Sequence, residues 1–410
     1  MKRYCILLAV LVAFASATER ENLNMDINFL ASETCFGRGL AHEGIYHAEE
    51  YIINELRVAG IKVKTQPVNY KLNIQQKTPL CIINGDTLRP GYDFIPHPFC
   101  LPVDKEFSCE EIELLDRDAL EKIKDSLSFA SVSQVRRHLM KKSKKKDRGS
   151  LLLFSEEHPI LSRQSKQYNR PAFQICDSLI SDTVRSVYVK NDVIYKKVRT
   201  NNVIAIIEGN TMPDSVICIS AHYDHMGGLG DVYYPGANDN ASGVAVLLAL
   251  ARYYAETPPP MTLVFCFFTG EEQGLKGSWK YVKHPVYPLE NVMMALNLDM
   301  VGSGLSGYGL VGGNDWPADV SIFEDIREAH NLGGLKLRPN SPNSDHFPFT
   351  TKGIKAIFFY ATGGKQPYHH PDDIPETLDW KTMENTVLLI KEYISEKSKE
   401  LGTTSSSKLW

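Results

Sequence analysis

From Asn202 onward the chain alternates short apolar runs with amphipathic stretches, and the alternation continues to Leu401. The runs at 203–207, 216–220, 263–268, 294–298, 307–311 and 356–360 are rich in aliphatic and aromatic residues and are closed by polar residues or glycine, the pattern of buried strands. Between them, 242–254, 274–282, 318–330 and 383–401 repeat their apolar positions at helical spacing. Strands alternating with helices predict an α/β fold: a mostly parallel twisted sheet flanked by helices on both faces.

Upstream, 41–59 carries apolar positions at Ala48, Tyr51, Ile52, Leu56 and Ala59, a helix closed by Gly60, and 61–68 alternates like a strand. From 69 to 197 the texture changes, with frequent turn signals and short segments. This stretch is expected to be an inserted small α+β subdomain within a main domain made of 18–68 and 198–401. The polar end, 402–410, is expected to be a flexible tail. At the other end, Lys2 and Arg3, an apolar run from Tyr4 to Phe14 and Ala15-Ser16-Ala17 have the form of a secretory signal, 1–17, cleaved after Ala17. The run is too short to span a bilayer, so an exported protein, secreted or periplasmic and without membrane insertion, is expected.

Composition changes this picture little. With 410 residues, 43% hydrophobic and 23% charged, the chain can bury a large core. A net charge of −4 gives no electrostatic basis for nucleic-acid binding, and the basic run 141–148 is read as a solvated helix end or loop. Seven of the eight cysteines follow the signal, an odd number; Cys218 and Cys266 fall in core strands, and Cys100 with Cys109 is the candidate for a single bridge.

The chemistry gathers where the apolar runs end. His222 and Asp224 close one run and share a strand face; Asp239 follows before a helix; Glu271 and Glu272 follow TLVFCFFTG; Asp299 follows MMALNL; His369 stands in YHHPDD. In open α/β sheets, ligands bind beyond the carboxyl ends of the strands. Zinc accepts imidazole nitrogen and carboxylate oxygen, and two His with three carboxylates serve two ions if one carboxylate bridges them. Paired ions can clamp an attacking hydroxide and polarise a carbonyl, with one further carboxylate to move the proton. Adjacent side chains diverge, so one of Glu271 and Glu272 can ligate while the other faces water.

HYDHMGG, GANDNASGVA, FTGEEQGLKGS, LNLDMVG, SDHFPF and YHHPDD together resemble the ordered motif set of the co-catalytic dizinc exopeptidases, which include aminopeptidase Y, bacterial leucyl aminopeptidases and glutamate carboxypeptidase. The resemblance implies two Zn2+ per chain: His222 and Asp299 on one ion, Glu272 and His369 on the other, and Asp239 bridging both. It further implies Glu271 as general base, Asp224 hydrogen-bonded to the far nitrogen of His222, Tyr368 steadying the oxyanion, and a cis peptide at Asp239-Asn240. His370 stands where the family has Thr or Ser, and the register aligns His369 as the ligand. His225 is read as a loop residue near the site, and Asp345 and His346 either line the pocket or belong to a packed loop. The insert faintly resembles a protease-associated domain at GSLLLFSEE and RPAFQI, without that domain's Gly-rich helix.

The implied activity is hydrolysis of peptide substrates at their termini, most readily as an aminopeptidase. A carboxypeptidase would share every ligand, a glutaminyl cyclase uses the same fold with one zinc, and a receptor-like binding protein would have lost ligands. Oligomeric state is not legible.

Overall fold

The computed structural model describes residues 18–126, 132–142, 149–180, 183–364 and 367–406. The expected signal at 1–17 and the basic residues 143–148 lie outside them. One sheet of eight strands organises the chain: β1 (Lys62–Gln75), β2 (Val193–Ile207), β3 (Met212–His222), β4 (Met261–Phe268), β5 (Val292–Leu298), β6 (Gly307–Val311), β7 (Gly334–Arg338) and β8 (Ala356–Thr362), in the order β1-β2-β4-β3-β5-β8-β6-β7. The central block β4-β3-β5-β8 is parallel. The flanks depart from this: β1, β2 and β4 are joined antiparallel, as are β6 and β8.

Alternation along the strands separates two cores. Ile217, Ile219 and Ala221 of β3 pack on one face with α1 (Glu19–Leu30), α2 (Gly44–Val58), α3 (Gly243–Glu256), α5 (Pro317–Ala329) and α6 (Trp380–Ser406). Val216 and Cys218 face the other side, with Phe268 of β4 and with Tyr281 and Val282 of α4 (Lys276–Lys283). The period of two carries His222 onto the Cys218 side at the strand end. Since β4, β3, β5 and β8 point the same way, their carboxyl ends share one edge of the sheet.

Two helix expectations are revised. α1 is a helix the apolar pattern did not predict; Thr18 and Glu21 form its capping box, and Leu23, Ile27 and Leu30 are its buried stripe. The last helix continues to Ser406, into the segment expected to be a tail, because extending a formed helix costs far less than starting one.

The segment between β1 and β2 forms two four-stranded sheets, one from Leu80–Ile83, Asp86–Thr87, Val103–Ser108 and Ser186–Asn191, the other from Phe94–Pro96, Ile112–Leu115, Leu151–Glu156 and Ala172–Cys176. They enclose their own apolar clusters. The β1–β2 ribbon holds its pairing out to Gln75 and Val193, past the positions 69 and 197 where the sequence texture changes. The bridge considered between Cys100 and Cys109 is absent: Cys100 is buried with its thiol bonded to the Leu101 carbonyl, whereas Cys109 is exposed, and all seven described cysteines are free thiols. Among the described residues no helix is long and apolar enough to cross a membrane.

Candidate metal centre

Four strand ends deliver the candidate ligands to one buried cluster. His222 is the last residue of β3, Glu271 and Glu272 follow β4, Asp299 follows β5, and His369 lies in the loop after β8. Asp239 comes from the turn between β3 and α3, where the Asp239-Asn240 peptide is cis. That turn is tied to the Asp299 loop by side-chain hydrogen bonds: Asn240 accepts from Met300 N at 3.2 Å and donates to the Leu298 carbonyl at 3.0 Å, and Asn238 accepts from Gly302 N at 2.9 Å.

The two oxygens of Asp239 serve different neighbours. Oδ1 is 3.4 Å from His222 Nε2, which is also 3.4 Å from Asp299 Oδ1; Oδ2 is 3.1 Å from His369 Nε2, which is 3.4 Å from Glu272 Oε2. Most of these separations are long for hydrogen bonds. They match the distance of about 3.3 Å between neighbouring ligands on a tetrahedral ion whose bonds are about 2.0–2.1 Å long. Charge agrees with this fit. Among the described residues, no Lys or Arg makes an ion pair with Asp239, Glu271, Glu272 or Asp299, leaving a buried anionic cluster that two dications suit.

The protonation balance has the same origin. Burial opposes charge on His222 and His369, yet the surrounding carboxylates outweigh it and hold both imidazoles well above their ordinary range. Burial first, then Glu272, Asp345 and Asp299, raises the Glu271 carboxyl well above the usual carboxylate value, with His222 opposing. Burial pushes Asp345 up to about 7.

Around this cluster the supports differ from expectation. The carboxylate of Asp224 is 3.9 Å from His222 Nδ1, too far for a hydrogen bond; its own backbone carbonyl accepts that bond at 3.0 Å. The carboxylate is instead directed at the amides of Glu271 and Glu272, at 3.2 and 3.4 Å, so Asp224 holds the turn that carries both glutamates. Tyr368 is 47% exposed and its ring stacks on that of His369, with centroids 3.8 Å apart. His370 lies outside the cluster, 3.5 Å from Asp372 and edge-on to Tyr92. Asp345 and His346 are buried in a packed loop, where Asp345 accepts from Ser278.

Several contributors were missed. His225, read as a loop residue near the site in preference to a metal role, joins Asp239, Glu272 and His369 in one group of potential ligands, with its Nδ1 3.0 Å from Glu272 Oε1; the third residue after His222 in HYDH was the available signal. Ser344 donates to Asp299 Oδ2 at 2.7 Å, and Asp373 accepts from the amides of Asn238 and Asp239 at 2.9 and 3.0 Å. Arg38 is fully buried and donates to the carbonyls of Leu30, Tyr223, Pro235, Gly236 and Asp239. No local pattern marks such an arginine, because its partners are distant backbone atoms.

Residues 202–394 match the family model of peptidase family M28. The matched region runs from β2 into α6 and is similar to that family. Over 215 residues the chain is 30% identical to a probable zinc metalloprotease of Leptosphaeria maculans, covering 43% of this chain and 49% of that protein. It is 30% identical over 213 residues to aminopeptidase YwaD of Bacillus subtilis, covering 49% and 45%. The chain thus spans about half the length of these curated relatives. The fold is shared with BSAP, a zinc aminopeptidase from Bacillus subtilis, at a TM-score of 0.68 and 19% identity, over 92% of this chain and 95% of that one. The matched region contains every ligand candidate, and the insert before Asn202 lies outside it.

Proposed function

We propose that this chain belongs to peptidase family M28 and is an exported dizinc aminopeptidase that removes residues from the free N-termini of peptides. The observation that carries the reading is the split of Asp239, whose two oxygens face two separate ligand sets. His222, Asp299 and Asp239 would hold one zinc, and Glu272, His369 and Asp239 the other. Bound there, the pair supplies Lewis-acid polarisation of the scissile carbonyl and lowers the pKa of water at the site.

The chain's own groups do the rest. Glu271 is adjacent to ligand Glu272 and joins the cluster beside His222, and it takes a proton from the attacking water and delivers it to the leaving amine. Asp224, through the amides of Glu271 and Glu272, keeps that base beside the ligands. Tyr368, stacked on His369, would donate to the developing oxyanion. That YwaD and BSAP are aminopeptidases favours the amino end of the substrate. The form of residues 1–17 supports export, and the secreted chain should begin at Thr18 on N-terminal sequencing.

Peptides with free and blocked N-termini, followed by mass spectrometry, test the activity. Release of amino acids only from free N-termini is expected; release from the carboxyl end, or cyclisation of N-terminal glutamine, would replace the reading. Glu271→Gln should lower kcat about 10²–10⁴-fold with zinc content unchanged. Full activity in that variant would remove Glu271 from its role.

A further inference from the structure

The insert lies outside the residues that match family M28. One of its loops nevertheless reaches the metal centre. His369 Nδ1 donates to the backbone carbonyl of Leu161 at 2.8 Å, and the two residues are 208 positions apart in sequence. That bond places the proton on Nδ1 and leaves the lone pair on Nε2, the nitrogen facing Asp239 and Glu272.

The loop is fixed rather than merely adjacent. Leu161 is buried in a small apolar cluster that joins Ile95 of the insert to Met226, Leu229 and Tyr234 of the main domain. Two residues on, Arg163 donates from Nε to the Met226 carbonyl at 2.7 Å and from Nη2 to the Gly228 carbonyl at 3.0 Å. A second point of the insert meets the same ligand loop, where Tyr92 donates to Asp372 at 3.4 Å.

We infer that the 161–163 loop of the insert is a positioning element of the metal centre, fixing the tautomer and aim of His369 and so setting the affinity of the second ion. Resting on the two-zinc reading, this makes the insert necessary for a complete site. Outer partners of ligating histidines contribute about 10–100-fold in metal affinity. The loop's effect should fall on one ion alone, because His222 Nδ1 donates its corresponding bond to the Asp224 carbonyl inside the main domain.

The test is zinc titration of the full chain against a chelator, by calorimetry, for wild type, Leu161→Ala, Arg163→Met and Val187→Ala. The last variant opens a cavity in the insert core away from the loop. Leu161→Ala and Arg163→Met should each weaken the second zinc about 10–100-fold and leave the first unchanged, while Val187→Ala lowers Tm without moving either affinity. Cobalt-loaded protein offers a second readout that does not depend on turnover: the visible bands of one cobalt should shift in the two loop variants only. Wild-type affinities at both ions in Leu161→Ala and Arg163→Met would overturn the inference, as would equal weakening in Val187→Ala. A wild-type chain that takes up one zinc overturns the two-ion reading itself, and this inference with it.

Discussion

Arg38 illustrates what single residues do here. Burial lowers its pKa, with Asp239, Asp373 and Asp224 among the groups opposing that shift. Its five N–H bonds reach carbonyls from three chain segments, including that of the proposed bridging ligand. Arg38→Met leaves those carbonyls unpaired and should cost about 3–5 kcal/mol in urea denaturation; a loss below about 1 kcal/mol would show that the clamp is dispensable. Ser344→Ala is a milder change. It removes the hydroxyl that donates to Asp299 Oδ2 and should weaken zinc about 10-fold in a chelator competition with little change in Tm. The residues legible in the sequence were those whose chemistry is local: a histidine or carboxylate closing an apolar run. Arg38, Ser344, Leu161 and His225 act through contacts that only the folded chain creates. Asp224 was found but misassigned, since spacing placed it on the face of His222 while the fold aims its carboxylate at the glutamate turn.

At the scale of elements, the parallel centre of the sheet was readable because strands buried on both faces are continuous apolar runs. β7, Gly-Leu-Lys-Leu-Arg at the sheet edge, was not, because an edge strand largely open to water needs few apolar residues. Nor could periodicity foresee the antiparallel joins at both flanks, which depend on how the connections cross. The turn before α3 depends on close approach at Gly243, where a Cβ would lie 2.4 Å from both Asn240 Oδ1 and the Leu298 carbonyl. Gly243→Ala should therefore separate the Asp239 turn from β5 and reduce both stability and zinc binding. The insert has its own pH response. His97 is buried between Phe99 and Phe154, and burial pushes its pKa down to about 3. Between pH 6.5 and 3 the unfolded chain binds a proton that the folded chain refuses, so stability falls as pH drops through this window and is unaffected above it. Moving from pH 7 to 4.5 should cost wild type about 2–3 kcal/mol more than His97→Phe, measured by denaturant titration at both values; equal losses would contradict this.

For the whole molecule, the four parallel strand ends gather ligands from residues 222 to 369, and no stretch of the chain holds a complete site. In the proposed two-zinc reading the assembly turns on Asp239, because sharing it would let five side chains serve two ions. The insert, reached through the β1–β2 ribbon, closes one side of that assembly at His369. Zinc content of the purified full chain, measured by elemental analysis after removal of loosely held metal, tests this account most directly. It predicts two zinc ions per chain in wild type and loss of both from Asp239→Ala; a single ion in wild type, or two ions retained by Asp239→Ala, would contradict it.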